Sequence, residues 1–197
     1  VYDSIIESNL ALPGRWNINN AKLALCALEK IGIDTNCIKT VWPKVKEVAG
    51  RNAVFDLGDS KTVQLFLAKN PAGYNEMLLH ISQLTSSNSR KKSATIFAFN
   101  CNIADGKDPS WLYDVRFEDF DVSDCYVFGE RASDITLRLE IANKKVQTFR
   151  SLDEILNCTK NVEHYYIIAS YTQFHKLSKS LPKKYPFSSV DKDELVK

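Results

Sequence analysis

Five acidic side chains crowd one short stretch of this 197-residue chain: Asp105, Asp108, Asp114, Glu118 and Asp119, within NCNIADGKDPSWLYDVRFEDF at residues 100–120. The preceding run, Ala94–Phe99, is apolar and strand-like. A strand that runs into an acidic, glycine-containing loop is how α/β proteins present carboxylates at the open edge of a sheet. The competing reading is an acidic turn on a solvated surface.

Other chemical signatures are missing from the sequence. It has no G-x-x-x-x-G-K-[ST] phosphate loop, no G-x-G-x-x-G dinucleotide fingerprint and no G-x-S-x-G elbow. The cysteines, Cys26, Cys37, Cys101, Cys125 and Cys158, form no C-x-x-C pair. A structural zinc site is therefore not expected, and their dispersal suits a reducing compartment. They fall within helical or strand patterns, where a thiol is inert. His80, His164 and His175 are also far apart and read as packing or surface residues.

Composition narrows the class further. Hydrophobic residues make up 44% and charged residues 25%, as in soluble globular domains. The formal net charge is +2, from 26 basic and 24 acidic side chains. That balance argues against a nucleic-acid surface, which carries a basic excess. No apolar run approaches the roughly 18 residues of a membrane span. The N-terminus lacks a signal-peptide pattern and begins with Val1, which suggests a piece of a longer chain.

The elements that must position the acidic loop alternate along the chain. Ile5–Leu12 reads as a strand and Leu12-Pro13-Gly14 as a turn. Asn17–Ile31 reads as a helix with Leu23, Ala27 and Ile31 on one face, stopped by Gly32. Thr35–Val48 reads as a second helix that restarts near Pro43. Asn52–Leu57 and Val63–Ala68 flank Gly58-Asp59 as a β-hairpin. Gly73–Leu84 is an amphipathic helix, and Thr85–Lys92 a polar connector. Strands at Ala94–Phe99, Cys125–Phe128, Val146–Phe149 and Tyr165–Ala169 alternate with helices at Ser133–Ile141, Ser151–Asn157 and Thr172–Ser180. Ser151 with Glu154 forms a capping box. The Pro- and Lys-rich tail from Leu181 reads as loosely held. Such alternation predicts an α/β fold, a Rossmann-like, doubly wound and mostly parallel sheet with a helical entry segment.

Several motifs carry a resemblance. LALPGRWNINNAKLALCALEKIGID at residues 10–34 resembles the join between the central and C-terminal domains of Mur ligases, the ATP-dependent enzymes of peptidoglycan assembly. Gly50-Arg51 resembles their Gly-Arg turn, and LAKNPAGYNE at residues 67–76 stands where the amino-acid-adding members carry D-Y-A-H-N-P. Phe66 takes the place of that motif's Asp. NCNIADGKDPSWLYDVRFE is similar to the NDN-x-ADG-x-D-x-SW-x-W-D pattern of the MurT-type branch, with Cys101 in place of one Asp. GERASDITLRL at residues 129–139 and SYTQF at residues 170–174 fit the same branch.

The resemblance implies three segments: residues 1–34 as the end of a central domain with its linker helix, 35–181 as the C-terminal α/β domain, and 182–197 as a loosely ordered tail. It also implies the ligase subunit of lipid II isoglutaminyl synthase. That subunit would use ATP with Mg2+, held mainly by a central domain outside this sequence, to amidate the D-glutamate α-carboxyl of the lipid II stem peptide. Ammonia would come from a GatD-type class I glutaminase partner. The setting would be cytoplasmic, at the inner membrane face, with neither a nucleic-acid partner nor a membrane span.

A glutaminase Cys–His pair works best when a carboxylate orients the histidine. The resemblance places that carboxylate in the acidic loop. Asp108 is favoured because it lies in the most specific part of the motif. Asp105 and Asp114 are the alternatives: Asp105-Gly106 could simply make a turn, and Asp114 could cap a helix or pair with Arg116. Asn17, Asn20 and Arg51 match positions that border the ATP base and ribose, although the two asparagines could instead cap their helix. Lys69 and Asn70 match the motif that faces the active-site cleft. Two other functions stay open at this point: the C-terminal domain of an amino-acid-adding Mur ligase, and a non-catalytic interaction module of the same fold.

Overall fold

The computed structural model describes residues 15–34, 38–44, 52–87, 92–122 and 124–185. The expected strand at Ile5–Leu12 lies outside these residues. The chain divides into two compact units, Val1–Val48 and Ala49–Lys197.

In the first unit, helix α1 spans Arg15–Lys30 and ends at Gly32. Its buried face is Ala21 and Leu25, with Ile18 and Trp42 packed against them. The expected face of Leu23, Ala27 and Ile31 is wrong. Leu23 and Ile31 are 73% and 71% exposed, and Ala27 is exposed as well. Residues 18, 21 and 25 keep the i, i+3, i+7 spacing, and the partner available to them is the Trp42 ring. The expected second helix appears as a short helix α2 at Ile38–Val41 and a 3-10 turn at Trp42–Lys44. Pro43 sits within that turn; residues 35–37 and 45–48 lie outside the described set.

In the second unit, β1 (Asn52–Gly58) and β2 (Lys61–Leu67) form the expected antiparallel hairpin. They are followed by helix α3 (Pro71–Ser87), β3 (Ser93–Ala98), β4 (Asp124–Phe128), α4 (Ala132–Ile141), β5 (Val146–Thr148), α5 (Leu152–Cys158), β6 (His164–Ala169) and α6 (Tyr171–Lys184). The strands join in one sheet of order β1-β2-β6-β3-β4-β5, parallel except for the hairpin.

Alternation along the strands builds two cores. On one face Val63, Leu65, Ala94, Ile96, Tyr165 and Ile167 pack with Leu152 and Ile155 of α5 and Phe174, Leu177 and Leu181 of α6. On the other face lie Phe66, Phe97, Val127 and Ile168, all buried. There Tyr74 of α3 stacks on Phe97 with ring centroids 6.4 Å apart, and His80 stands edge-on to Phe66 at 5.8 Å. The sheet is thus covered by helices on both sides.

Two local expectations need amendment. Ser151 caps α5 by accepting from the Glu154 N–H at 3.3 Å, but the Glu154 carboxylate accepts from Arg150 N–H at 2.9 Å, one residue before the cap. The chain from Leu181 is not loose at its start. Helix α6 continues to Lys184, and Leu181 is buried in the core. Pro182 can sit this near the helix end because the apolar i, i+3, i+4, i+7 stripe carries on through Leu181.

Candidate functional site

Strand β6 inserts between β2 and β3, so the sequence order of the strands reverses there. Ala98 of β3 lies in register with Ala169 of β6 and with Phe128 of β4. Three chain segments therefore leave the carboxyl edge of the sheet side by side, which is where open α/β sheets form crevices.

Asn100 is the hub of these segments. Its backbone N–H donates to Ser170 Oγ at 3.1 Å. Its Oδ1 accepts from the Glu130 backbone N–H at 3.2 Å and from Gln173 Nε2 at 3.0 Å. A backbone N–H can only donate, so the Asn100 amide orientation is fixed. Its Nδ2 then faces Thr172 Oγ1 at 3.2 Å, and that hydroxyl donates to Asp105 Oδ2 at 2.6 Å. Four side chains form one directed chain of hydrogen bonds.

Asp105 closes that chain and is 6% exposed. Its Oδ1 accepts from Thr172 N–H at 2.7 Å and its Oδ2 also accepts from Asn102 N–H at 3.1 Å. The carboxylate is committed to anchoring the loop on the first turn of α6. Gly106 follows with φ 88°, a left-handed conformation that turns the chain back toward solvent.

Asp108 emerges beyond that turn, exposed. Ser110 donates to it twice, from its N–H to Oδ1 and from its hydroxyl to Oδ2, each at 2.9 Å. These two bonds, backbone first, hold its carboxyl below the usual carboxylate range. Each oxygen keeps a further lone pair for an outside donor. Asp114 is exposed at the end of the 3-10 turn Ser110–Asp114. Arg116 pairs with Asp119 at 3.5 Å rather than with Asp114.

The far side of the loop is clamped as well. The Trp111 ring meets Tyr74 at 5.4 Å and Phe99 at 5.6 Å. Arg116 N–H donates to Asn75 Oδ1 of α3 at 2.9 Å. Arg138 of α4, 5% exposed, grips both Glu118 oxygens at 2.7 and 2.8 Å, donates to the Val115 carbonyl at 2.6 Å and lies over the Phe117 ring. The arginine bonds hold the Glu118 carboxyl down at about 2. Gly129, after β4, is required by contact: a Cβ there would lie 2.3 Å from the Phe99 carbonyl oxygen, and its φ is 114°. That close approach lets Glu130 N–H reach Asn100.

The remaining expected residues are dispersed. Lys69 and Asn70 are exposed just after β2, and Asn70 Oδ1 accepts from Gly73 N–H at 2.8 Å, capping α3 ahead of Pro71. Asn17 is half-buried and Asn20 exposed on α1 in the first unit. Arg51 lies outside the described residues. Cys101 is in the loop rather than in a strand or helix, because β3 ends at Ala98. Among the described residues no His/Cys/Asp/Glu group could hold a metal ion. A cleft of about 530 Å3 opens beside the hub, lined by Asn100, Glu130, Arg150, Gln173, Lys176 and Lys184 among others.

Asn100, Thr172, Gln173 and Arg138 are site residues beyond those expected from the sequence. All four were within view, since NCNIADG, GERASDITLRL and SYTQF contain them. No single-residue signal says that an Asn and a Thr 72 positions apart will bond.

The model of the MurT ligase C-terminal family matches residues 67–174, which hold the whole acidic loop and its anchors. The MurT subunit of lipid II isoglutaminyl synthase (glutamine-hydrolysing) from Streptococcus pneumoniae is 32% identical over 174 residues, 84% of this chain and 38% of that protein. Its Staphylococcus aureus counterpart is 32% identical over 141 residues, 70% of this chain and 31% of that protein. The chain thus spans well under half the length of these relatives. Among solved structures, UDP-N-acetylmuramate–alanine ligase MurC from Thermotoga maritima superposes with a TM-score of 0.62 at 13% identity, over 90% of this chain and 39% of that one. MurF from Acinetobacter baumannii gives 0.63 at 17% identity, over 89% and 39%. These structures share the Mur ligase C-terminal fold with the second unit's mostly parallel sheet. By sequence, the chain belongs to the MurT ligase C-terminal family.

Proposed function

We propose that this chain is the C-terminal domain of the ligase subunit of a lipid II isoglutaminyl synthase, and that its acidic loop completes the catalytic triad of a GatD-type class I glutaminase. The observation that carries this reading is Asp108: an exposed carboxylate with a lowered pKa, fixed by Ser110 and presented between two anchored ends of one loop.

Its chemistry follows from that geometry. A partner histidine would donate its Nδ1–H to a free lone pair of Asp108. The carboxylate then holds the ring in the tautomer whose Nε2 can take the proton of the partner's cysteine thiol. It also stabilises the imidazolium that results. Asp105 does not suit this task, because its oxygens already accept three bonds. Among the described residues, none holds the Asp114 carboxylate as Ser110 holds that of Asp108.

The ammonia released would amidate the D-glutamate α-carboxyl of the lipid II stem peptide, in the cytoplasm at the inner membrane face. ATP with Mg2+ would be held mainly by a preceding central domain. Asn17, Asn20, Arg51, Lys69 and Asn70 remain proposed contacts to nucleotide or substrate. The described residues do not by themselves make a nucleotide site: the sequence has no phosphate loop, and Asn70 Oδ1 is engaged as a cap.

The test is Asp108→Asn in the ligase–glutaminase complex. The complex should stay assembled while glutamine hydrolysis falls by about two to four orders of magnitude, the scale of triad members. Normal hydrolysis by Asp108→Asn, with loss in Asp105→Asn or Asp114→Asn, would move the role to another residue. Normal hydrolysis in all three would end the triad reading.

A further inference from the structure

The reach of Asp108 depends on where its loop is held, and at the loop's N-terminal end several hydrogen bonds converge on Thr172. Thr172 Oγ1 takes Asn100 Nδ2 and Asn102 Nδ2, each at 3.2 Å, and passes its own proton to Asp105 at 2.6 Å. Two amides on the β3 side and one carboxylate in the loop therefore converge on one atom of α6. From Asp105 only Gly106 and Lys107 separate this junction from Asp108. The Lys107 carbonyl adds one long contact, with Arg131 Nη2 at 3.5 Å. A change at Thr172 should thus move the apex of the loop while leaving the sheet intact.

We infer that Thr172 is a positioning residue for glutamine hydrolysis, acting through Asp105 to set the distance between Asp108 and the partner's histidine. This rests on the proposed function and adds a residue on α6 that touches neither glutamine nor the partner's nucleophile. Asp105 then has a defined part: it transmits the position of α6 to the loop. The Thr172 backbone N–H donates to Asp105 independently of the side chain, so the anchor loosens rather than breaks when the hydroxyl is removed.

The experiment uses the full ligase subunit in complex with its glutaminase. Thr172→Val keeps the shape of the side chain and removes the hydroxyl. It should lower the kcat of glutamine hydrolysis by about ten- to a hundredfold, the cost of displacing a catalytic group by up to an ångström. The KM for glutamine and the Kd of the complex should stay within about twofold, because no side chain proposed to face glutamine or the partner is replaced. Thr172→Ser should restore kcat. Asp105→Asn should resemble Thr172→Val, and the double variant should be no worse than either single one, since both break one junction.

An unchanged kcat for Thr172→Val overturns the inference. So does a fall in melting temperature with full kcat in the complex that remains folded, or a loss that serine does not rescue. The two readings fail separately. If Asp108→Asn hydrolyses glutamine normally, the role proposed for Asp108 is lost. If Asp108→Asn is inactive while Thr172→Val is normal, only the positioning role is lost.

Discussion

Asp105 and Thr172, 67 residues apart, meet twice: the threonine N–H donates to one carboxylate oxygen at 2.7 Å and its hydroxyl to the other at 2.6 Å. A buried carboxylate with three donors is a fastening, whereas the exposed Asp108 is presented outward. Stability measurements should separate them. Asp105→Ala strands three donors and should cost about 2–3 kcal/mol. Asp108→Ala loses one exposed turn-capping group and should cost much less. Denaturant unfolding of the two variants checks this; equal losses would contradict the division of roles.

Gly129→Ala should be among the most damaging single-methyl additions. The new Cβ would meet the Phe99 carbonyl oxygen, which belongs to backbone that cannot swing aside. Backbone strain alone costs about 1–3 kcal/mol at such a φ, and the clash adds to it. The expected outcome is a loss of about 3 kcal/mol or more, read from unfolding curves. It should be accompanied by weakened amide-exchange protection at Glu130.

Arg138 supports the distal half of the loop. Arg138→Met removes the grip on Glu118 and Val115 and should cost about 2 kcal/mol at neutral pH, with the half-exposed Glu118 limiting the loss. The Glu118 carboxyl is depressed to about 2 in the folded chain. A depressed carboxyl stabilises fully above its unfolded value, about 4.3, and loses that contribution as pH falls through the folded value. The stability gap between wild type and Arg138→Met should therefore narrow between about pH 4.5 and pH 2. A gap constant across that window would show that the charge on Glu118 does not matter.

The 197-residue chain on its own should not hydrolyse ATP. It carries no phosphate loop, and its described residues include no cation-binding cluster. Phosphate release above a buffer control from the purified chain would contradict the proposal that it is one domain of a larger ligase.

Much of the fold was legible because period-two and period-3.6 patterns survive in short segments. Ser93–Ala98 alternates between two cores, and Ser151 announces the start of α5. The face of α1 was misread because Leu23 and Ile31 are apolar yet exposed, and apolarity alone does not name the packing partner. The end of α6 was misread because Pro182 and the lysines signal a break, while burial of Leu181 outweighs them. The acidic loop stood out by composition. Its division into a fastening Asp105 and an outward Asp108 did not, because that depends on Thr172, a residue with no local mark.

The central place of β6 has a consequence for how this domain comes into being. Strands β2 and β3 are both hydrogen-bonded to β6 and not to each other. Thr62 and Ser93 wait for the same residue, His164, and Thr62 lies 102 positions before it. During synthesis the inner edges of β2 and β3 have no partner strand until β6 emerges. Such long-range closure is slow and exposes the growing chain to mispairing. The carboxyl edge, and with it the junction at Thr172, can therefore be completed only after β6 and the start of α6 have been synthesised.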